Sequence, residues 1–302
     1  MDAALYSKVL TTSASVDLSA RSKWRLSGAD RVRYLNGQVT NDVRTARADS
    51  ALYACVTNVK GKIEGDVYIH AEGESLILDA PAALREILGL RLEKYLIADD
   101  ALLEDITYEW QLWHVFGPES ESALELPADG RRVKAQRFGL PGYDLWLPIA
   151  AAGSGTPDTQ LCAEDVECLR ILQRVPAYPQ ELNAETFPQE AALEKTAMSF
   201  AKGCYIGQEI LSRIKTTGKM PRELMAWTAE SGDADLVVGS DLVLAEKKVG
   251  QITSLTRDPK SGRPVGLGYI RHGAAAVDSV LLVGSEVSSI AASVKISALL
   301  NQ

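Results

Sequence analysis

The chain is poor in the residues from which most metal and redox centres are built. Its 302 residues include three histidines, His70, His114 and His272, and four cysteines, Cys55, Cys162, Cys168 and Cys204. The histidines are far apart and none belongs to an HExxH pair. No two cysteines form a CxxC, so neither a zinc site nor a cluster site is written locally, and no metal ligand is assigned. So few cysteines also rule out a disulfide framework and point to a reducing, cytoplasmic setting, with Cys55, Cys162 and Cys168 read as small buried hydrophobes. There is no GxxxxGK[ST] loop, no GxGxxG and no GxSxG elbow. No apolar run approaches the ~18 residues of a membrane span, and the opening MDAALYSKVL lacks the parts of a secretory signal. Positive charge is also short: 32 Lys and Arg against 40 Asp and Glu leave a net charge of -8, against a general nucleic-acid coat.

What remains is an ordinary globular composition, 46% hydrophobic and 24% charged, long enough for more than one core. Trp24–Asp30 reads as a strand and turn leading into a helix with Val32, Tyr34, Leu35 and Val39 on its apolar side, capped by Ser27 or Asp30. Residues 51–59 and 63–69 read as a hairpin around Lys60-Gly61-Lys62, and 76–80 as a third strand. From Pro81 to Asp99 the spacing of Leu84, Ile87, Leu88, Leu92, Tyr95 and Leu96 predicts one amphipathic helix. A second unit repeats this grammar, with strands expected at 101–107, 111–116, 132–137 and 143–149. A linker is expected at 151–158 and a helix at 163–173. After Arg222 short apolar runs alternate with turns, as in a small antiparallel barrel. The expected class is α+β, divided into residues 1–218 and 219–302.

The most unusual stretch is KGCYIGQE, residues 202–209. Gly203 and Gly207 bracket Cys204 and Tyr205, allowing a tight turn or the close approach of a ligand. A helix is expected immediately after, with Ile206, Ile210, Leu211 and Ile214 on one face. Cys204 would then lie at or just before a helix N-terminus beside Lys202, a setting that favours thiolate. The ordinary alternative is a glycine-rich helix entry with a buried thiol and a packed tyrosine. Asn36-Gly37 reads as a helix C-cap, and Gln38 and Asn41 as polar groups that could face a cavity.

This stretch resembles the signature of YgfZ-type folate-binding proteins, relatives of the glycine-cleavage T-protein (aminomethyltransferase). Further resemblance lies in DRVRYLNGQVTNDV (30–43), NVKGKI (58–63), Pro188-Gln189-Glu190, VGQITS (249–254) and LGYI (267–270). The resemblance implies a three-lobed cloverleaf around a central hole, two α+β lobes plus a C-terminal antiparallel β-barrel, accepting tetrahydrofolate or a one-carbon derivative. It implies an accessory protein that supports assembly or repair of iron–sulfur enzymes, tRNA-modifying ones among them, with those enzymes as partners. Cys204 and Lys202 are then the candidate reactive groups. Tyr205 would wall a ring slot, Gln208 and Glu209 would meet the pterin edge, and Lys60, Lys62 and Lys202 would hold the anionic tail. Gln189 and Asn41 complete the folate-binding set. Two departures stand against aminomethyl transfer, the alternative activity. Glu64-Gly65-Asp66 stands where the T-protein has an Asp-Asp pair, and Leu172 where many relatives have a pterin-contacting acid. A folate-binding scaffold without chemistry is the third reading.

Overall fold

The structure, a computed structural model, describes residues 1–121, 126–149, 159–231, 236–285 and 288–299. The linker expected at 151–158 lies outside the described residues. The chain opens with a helix the sequence reading did not anticipate, α1 (Ala3–Thr11), whose N-cap Asp2 accepts from Leu5 N. β1 (Ala14–Asp17), also unanticipated, follows it.

The first sheet is antiparallel in the order β3-β4-β5-β2-β6, from β2 (Ser22–Ser27), β3 (Leu52–Thr57), β4 (Ile63–Glu72), β5 (Ser75–Ala80) and β6 (Leu102–Asp105). Two helices cover one face of it. α2 (Arg31–Gln38) contributes Tyr34 and Leu35, and α3 (Arg85–Glu93) contributes Leu88 and Leu92, against Trp24, Leu26, Val67, Ile69 and Leu78. At about 1.5–3 kcal/mol for each large apolar side chain buried, this cluster dominates the stability of the lobe. α3 is shorter than the 81–99 expectation. Ile87 is 62% exposed, so its place in the apolar series was a coincidence of spacing. Asn36-Gly37 also falls inside α2 instead of capping it; the C-cap is Val39, and the Asn36 carboxamide accepts from Val43 N.

The second sheet has the order β1-β7-β9-β8, from β7 (Trp110–Phe116), β8 (Arg131–Ala135) and β9 (Gly142–Pro148). It is tied to the first by Ala51 N donating to Lys134 O and Lys134 N to Asp49 O. α4 (Ala163–Leu172) packs Leu169 with Val9 and Phe116 of this lobe. α5 (Gln208–Thr217) leads to the last unit, a closed antiparallel barrel β10-β13-β12-β11-β14-β15. Its strands are β10 (Arg222–Ala229), β11 (Asp241–Leu244), β12 (Lys247–Arg257), β13 (Pro264–Arg271), β14 (Val280–Ser285) and β15 (Ser288–Ser297). Closure removes both sheet edges and encloses Trp227, Leu242, Ile252, Leu281 and Ile296. The α+β class and the barrel are as the sequence implied.

Candidate functional site

A cavity of about 480 Å³ opens between the two sheets and the segment that follows α4. Its walls are aromatic, from Tyr53, Tyr68, Phe138 and Tyr178, and its polar floor is Arg21, Asp66 and Arg137. The strand period puts them there. Asp66 and Tyr68 are two apart on β4 and share a face, and Tyr68 lies opposite Asp79 of β5.

Beneath the floor lies a buried charge relay. Arg137 donates to Asp79 at 3.0 and 2.7 Å and to Asp144 at 2.7 and 2.6 Å, joining the first sheet to the second. Asp144 also bonds His114 Nδ1 at 2.8 Å, and Arg21 Nε donates to Asp79. Burial opposes ionisation of Asp79 and Asp144, yet the Arg137 guanidinium holds both carboxyls below their usual range. The guanidinium carbon sits 4.0 Å from the Tyr68 ring centre, so the same arginine steadies a cavity wall.

Two buried polar atoms on this floor have no hydrogen-bond partner, Asp66 Oδ1 and Arg21 Nη2. The other Asp66 oxygen accepts from the Tyr53 hydroxyl at 3.2 Å. Burial pushes the Asp66 carboxyl up, and Arg21 opposes the shift. Unpaired buried polar atoms cost about 1–3 kcal/mol each, so two together on an open cavity make its floor the candidate ligand site.

KGCYIGQE is elsewhere. Lys202, Cys204, Tyr205, Gln208, Glu209, Gln189, Lys60 and Asn41 are all absent from the cavity lining. Lys202 is buried and donates to three carbonyls, Asn36 O at 2.6 Å and Val39 O and Asn41 O at 2.7 Å, closing the end of α2. Burial lowers its ammonium to about 7, with Asp42 opposing the shift. Its Nζ is 4.9 Å from the Tyr205 ring centre. Tyr205 is buried among Met198, Leu211 and Ile214, so it packs where a ring slot was expected. Gln189 donates to Leu211 O and fixes α5, and Asn41 donates to Tyr53 O and Thr196 O, one layer behind the cavity.

The thiol expectation also changes. α5 begins at Gln208 with Gly207 as N-cap, so Cys204 stands outside the helix, exposed, while the Lys202 charge is turned to carbonyls. Gly207, at φ +86, is required by close approach: an added Cβ would come within 2.5 Å of Asn58 O. What approaches it is the hairpin tip, where a ligand had been a possibility. Gly203 has open space around its Cβ position. Ile206 N donates to Gly37 O, and Thr57 Oγ1 donates to Ile206 O at 2.6 Å. The stretch is a fastener joining α2, the β3–β4 hairpin and α5.

Glu209 is exposed and Gln208 half-buried at the start of α5. Lys60 is exposed at the hairpin tip, and Lys62 is spent on Glu185 O and the Phe187 ring. Cys162, expected buried, is exposed at the N-cap of α4 and donates to Asp165. Of the two hairpin carboxylates, Glu64 pairs with Arg91 at 2.7 Å, whereas Asp66 faces the cavity. Sequence reasoning missed Arg21, Tyr53, Tyr68 and Arg137. Alternation along β4 would have linked Tyr68 to Asp66, but nothing local marks Arg21 or Arg137.

The GCVT N-terminal domain family matches residues 4–142. An aminomethyltransferase of Rubrobacter xylanophilus is 27% identical over 292 residues, covering 87% of this chain and 77% of that one. A tRNA-modifying protein YgfZ of Yersinia pseudotuberculosis is 28% identical over 241 residues, covering 72% and 71%. The glycine cleavage system aminomethyltransferase T of Bartonella henselae has the same fold, with a TM-score of 0.86 over 99% of this chain and 89% of that one at 16% identity. The chain is thus similar over most of its length to aminomethyltransferases and to YgfZ proteins, and it shares the fold of the glycine cleavage T-protein.

Proposed function

We propose that the chain binds tetrahydrofolate, or a one-carbon derivative of it, in the cavity between the two sheets. The observation that carries this reading is the pair of unpartnered atoms, Asp66 Oδ1 and Arg21 Nη2, on a floor walled by Tyr53, Tyr68, Phe138 and Tyr178. A pterin needs a flat apolar slot with a few fixed donors and acceptors, and 480 Å³ lies within the range of small-ligand pockets. The residues present therefore fit the group. Asp66 and Tyr53 would hold the ring edge, Arg21 would supply a donor, and the aromatic side chains would exclude water. Reduced folate supplies a carrier for a one-carbon unit; the chain's own part is to bind and orient it.

Within this reading residues 1–218 form the folate-binding unit and residues 219–302 the barrel. The protein acts as an accessory factor for iron–sulfur enzymes, tRNA-modifying ones included, in the cytoplasm, and Cys204 is the group it offers to them. What favours that role is the exposure of Cys204 outside the cavity lining, which suits contact with another protein. Aminomethyl transfer is the second reading, favoured by the placement of Asp66 at the cavity.

Anaerobic calorimetry with tetrahydrofolate tests the shared premise, and no heat at millimolar ligand refutes it. Turnover of an aminomethyl-lipoyl carrier with folate promotes the second reading. Iron–sulfur enzyme activity unchanged by deletion of the gene refutes the first.

A further inference from the structure

The geometry points to Arg21 as the residue that selects the C4 substituent of the pterin ring, accepting 4-oxo folates and rejecting 4-amino ones. This rests on the folate reading and deepens it.

The argument begins with register. Ser22 lies opposite Ala80 on β5, and Tyr68 on β4 lies opposite Asp79. Continuing both ladders puts Arg21, Pro81 and Asp66 in one row across three strands, and all three line the cavity. Neighbouring strands are about 4.8 Å apart, so the row sets a long donor side chain and a short acceptor side chain on either side of a proline. Arg21 Nε is held by Asp79, and Asp66 Oδ2 by Tyr53. Among the described cavity-lining residues, the unpartnered buried side-chain atoms are one arginine N–H group and one carboxylate oxygen.

A single ligand that satisfies both must turn an acceptor toward Arg21 Nη2 and a donor toward Asp66 Oδ1. The lactam edge of a 2-amino-4-oxopteridine does so: the C4 carbonyl accepts from Arg21 Nη2, and N3–H donates to Asp66 Oδ1. In a 4-amino pteridine both signs invert. Its C4 amino group turns N–H toward a guanidinium that can only donate, and its N3 lone pair faces the carboxylate. The glutamate tail is a poorer occupant of the row. Its carboxylates can accept from Arg21 but have nothing to donate to Asp66, and they would bring one anion against another.

The test is anaerobic calorimetry on the intact chain with tetrahydrofolate, 4-amino-4-deoxytetrahydrofolate and tail-less 6-methyltetrahydropterin. The wild-type chain is expected to prefer the 4-oxo folate by at least ~10-fold, the scale of one charge-assisted hydrogen bond. Arg21→Met should erase most of that preference by weakening the 4-oxo ligand, with an equal fold loss for 6-methyltetrahydropterin. Equal wild-type affinity for the 4-oxo and 4-amino folates overturns the proposal, and needs no variant that must fold. So does a loss on Arg21→Met that disappears with the tail-less pterin, which would assign Arg21 to the tail. If no folate binds at all, the failure belongs to the folate reading itself.

Discussion

Two regions of this molecule divide labour that local sequence motifs concentrate in one. KGCYIGQE carries the dense run of Lys, Gly, Cys and Tyr, yet most of its polar groups serve the backbone: three carbonyls on Lys202, Gly37 O on Ile206 N, and Asn58 close against Gly207. Its Tyr205 hydroxyl is buried without a hydrogen-bond partner, but among apolar side chains and away from the cavity. The cavity floor has no local motif, yet it keeps two polar atoms free at a cost in stability. A run of unusual residues can therefore mark a difficult junction as readily as a site. Unsatisfied buried groups guide the eye to a ligand where, as at Asp66 and Arg21, they also face an open cavity.

The strongest way to break this comparison is to remove the support of the floor. Arg137→Met leaves Asp79 and Asp144 as buried, under-compensated carboxylates, and an expected loss of about 3–5 kcal/mol follows. Urea denaturation measures it; a loss below about 1 kcal/mol would mean that the relay is not a structural joint between the sheets. Adding Asp79→Asn or Asp144→Asn to Arg137→Met should recover part of the loss, because each removes one stranded charge.

The fastener is tested by its two glycines. Gly207→Ala should cost about 1–3 kcal/mol, since the left-handed backbone and the Asn58 carbonyl both resist a Cβ. Gly203→Ala should fall within about 0.5 kcal/mol of wild type, because its Cβ meets nothing. Similar values for the two would show that the sequence motif, and not the hairpin contact, sets the requirement.

Asp66 sharpens the other side. Its folded carboxyl is raised above the unfolded value, so between those two values the folded state holds the extra proton and stability falls as pH rises. Asp66→Asn should remove that fall and leave the protein as stable or more stable at pH 7, while tetrahydrofolate affinity drops at least ~10-fold. Thermal melts from pH 4 to 8 together with calorimetry separate the two effects. A variant that is less stable at pH 7 would place Asp66 among the structural carboxylates, beside Asp79.

Much of the architecture was legible because it rests on short-range pattern. The hairpin around Gly61, the strands near 76–80 and 143–149 and the switch to barrel grammar after Arg222 all follow from alternation and turn residues. α3 was over-read because Tyr95 and Leu96 continue the apolar spacing of Leu88 and Leu92 past the end of the helix at Glu93. The site was hardly legible, for a physical reason. Arg21, Tyr53, Asp66 and Arg137 come from four separate segments and meet only when strand register and the packing of two sheets are set. Asp66 was in view only as half of an ambiguous pair with Glu64, and the salt bridge from Glu64 to Arg91 resolves it.

The smallest expected effect is the most discriminating between the regions. Cys204 is exposed, lies outside α5 and does not line the cavity. Cys204→Ser should therefore change stability by no more than about 0.5 kcal/mol and tetrahydrofolate affinity by less than ~2-fold. Any cellular phenotype of that substitution would then report on contact with another molecule, because neither the fold nor the folate site would have moved. A tenfold loss of affinity would join the two regions again and undo the division drawn between them.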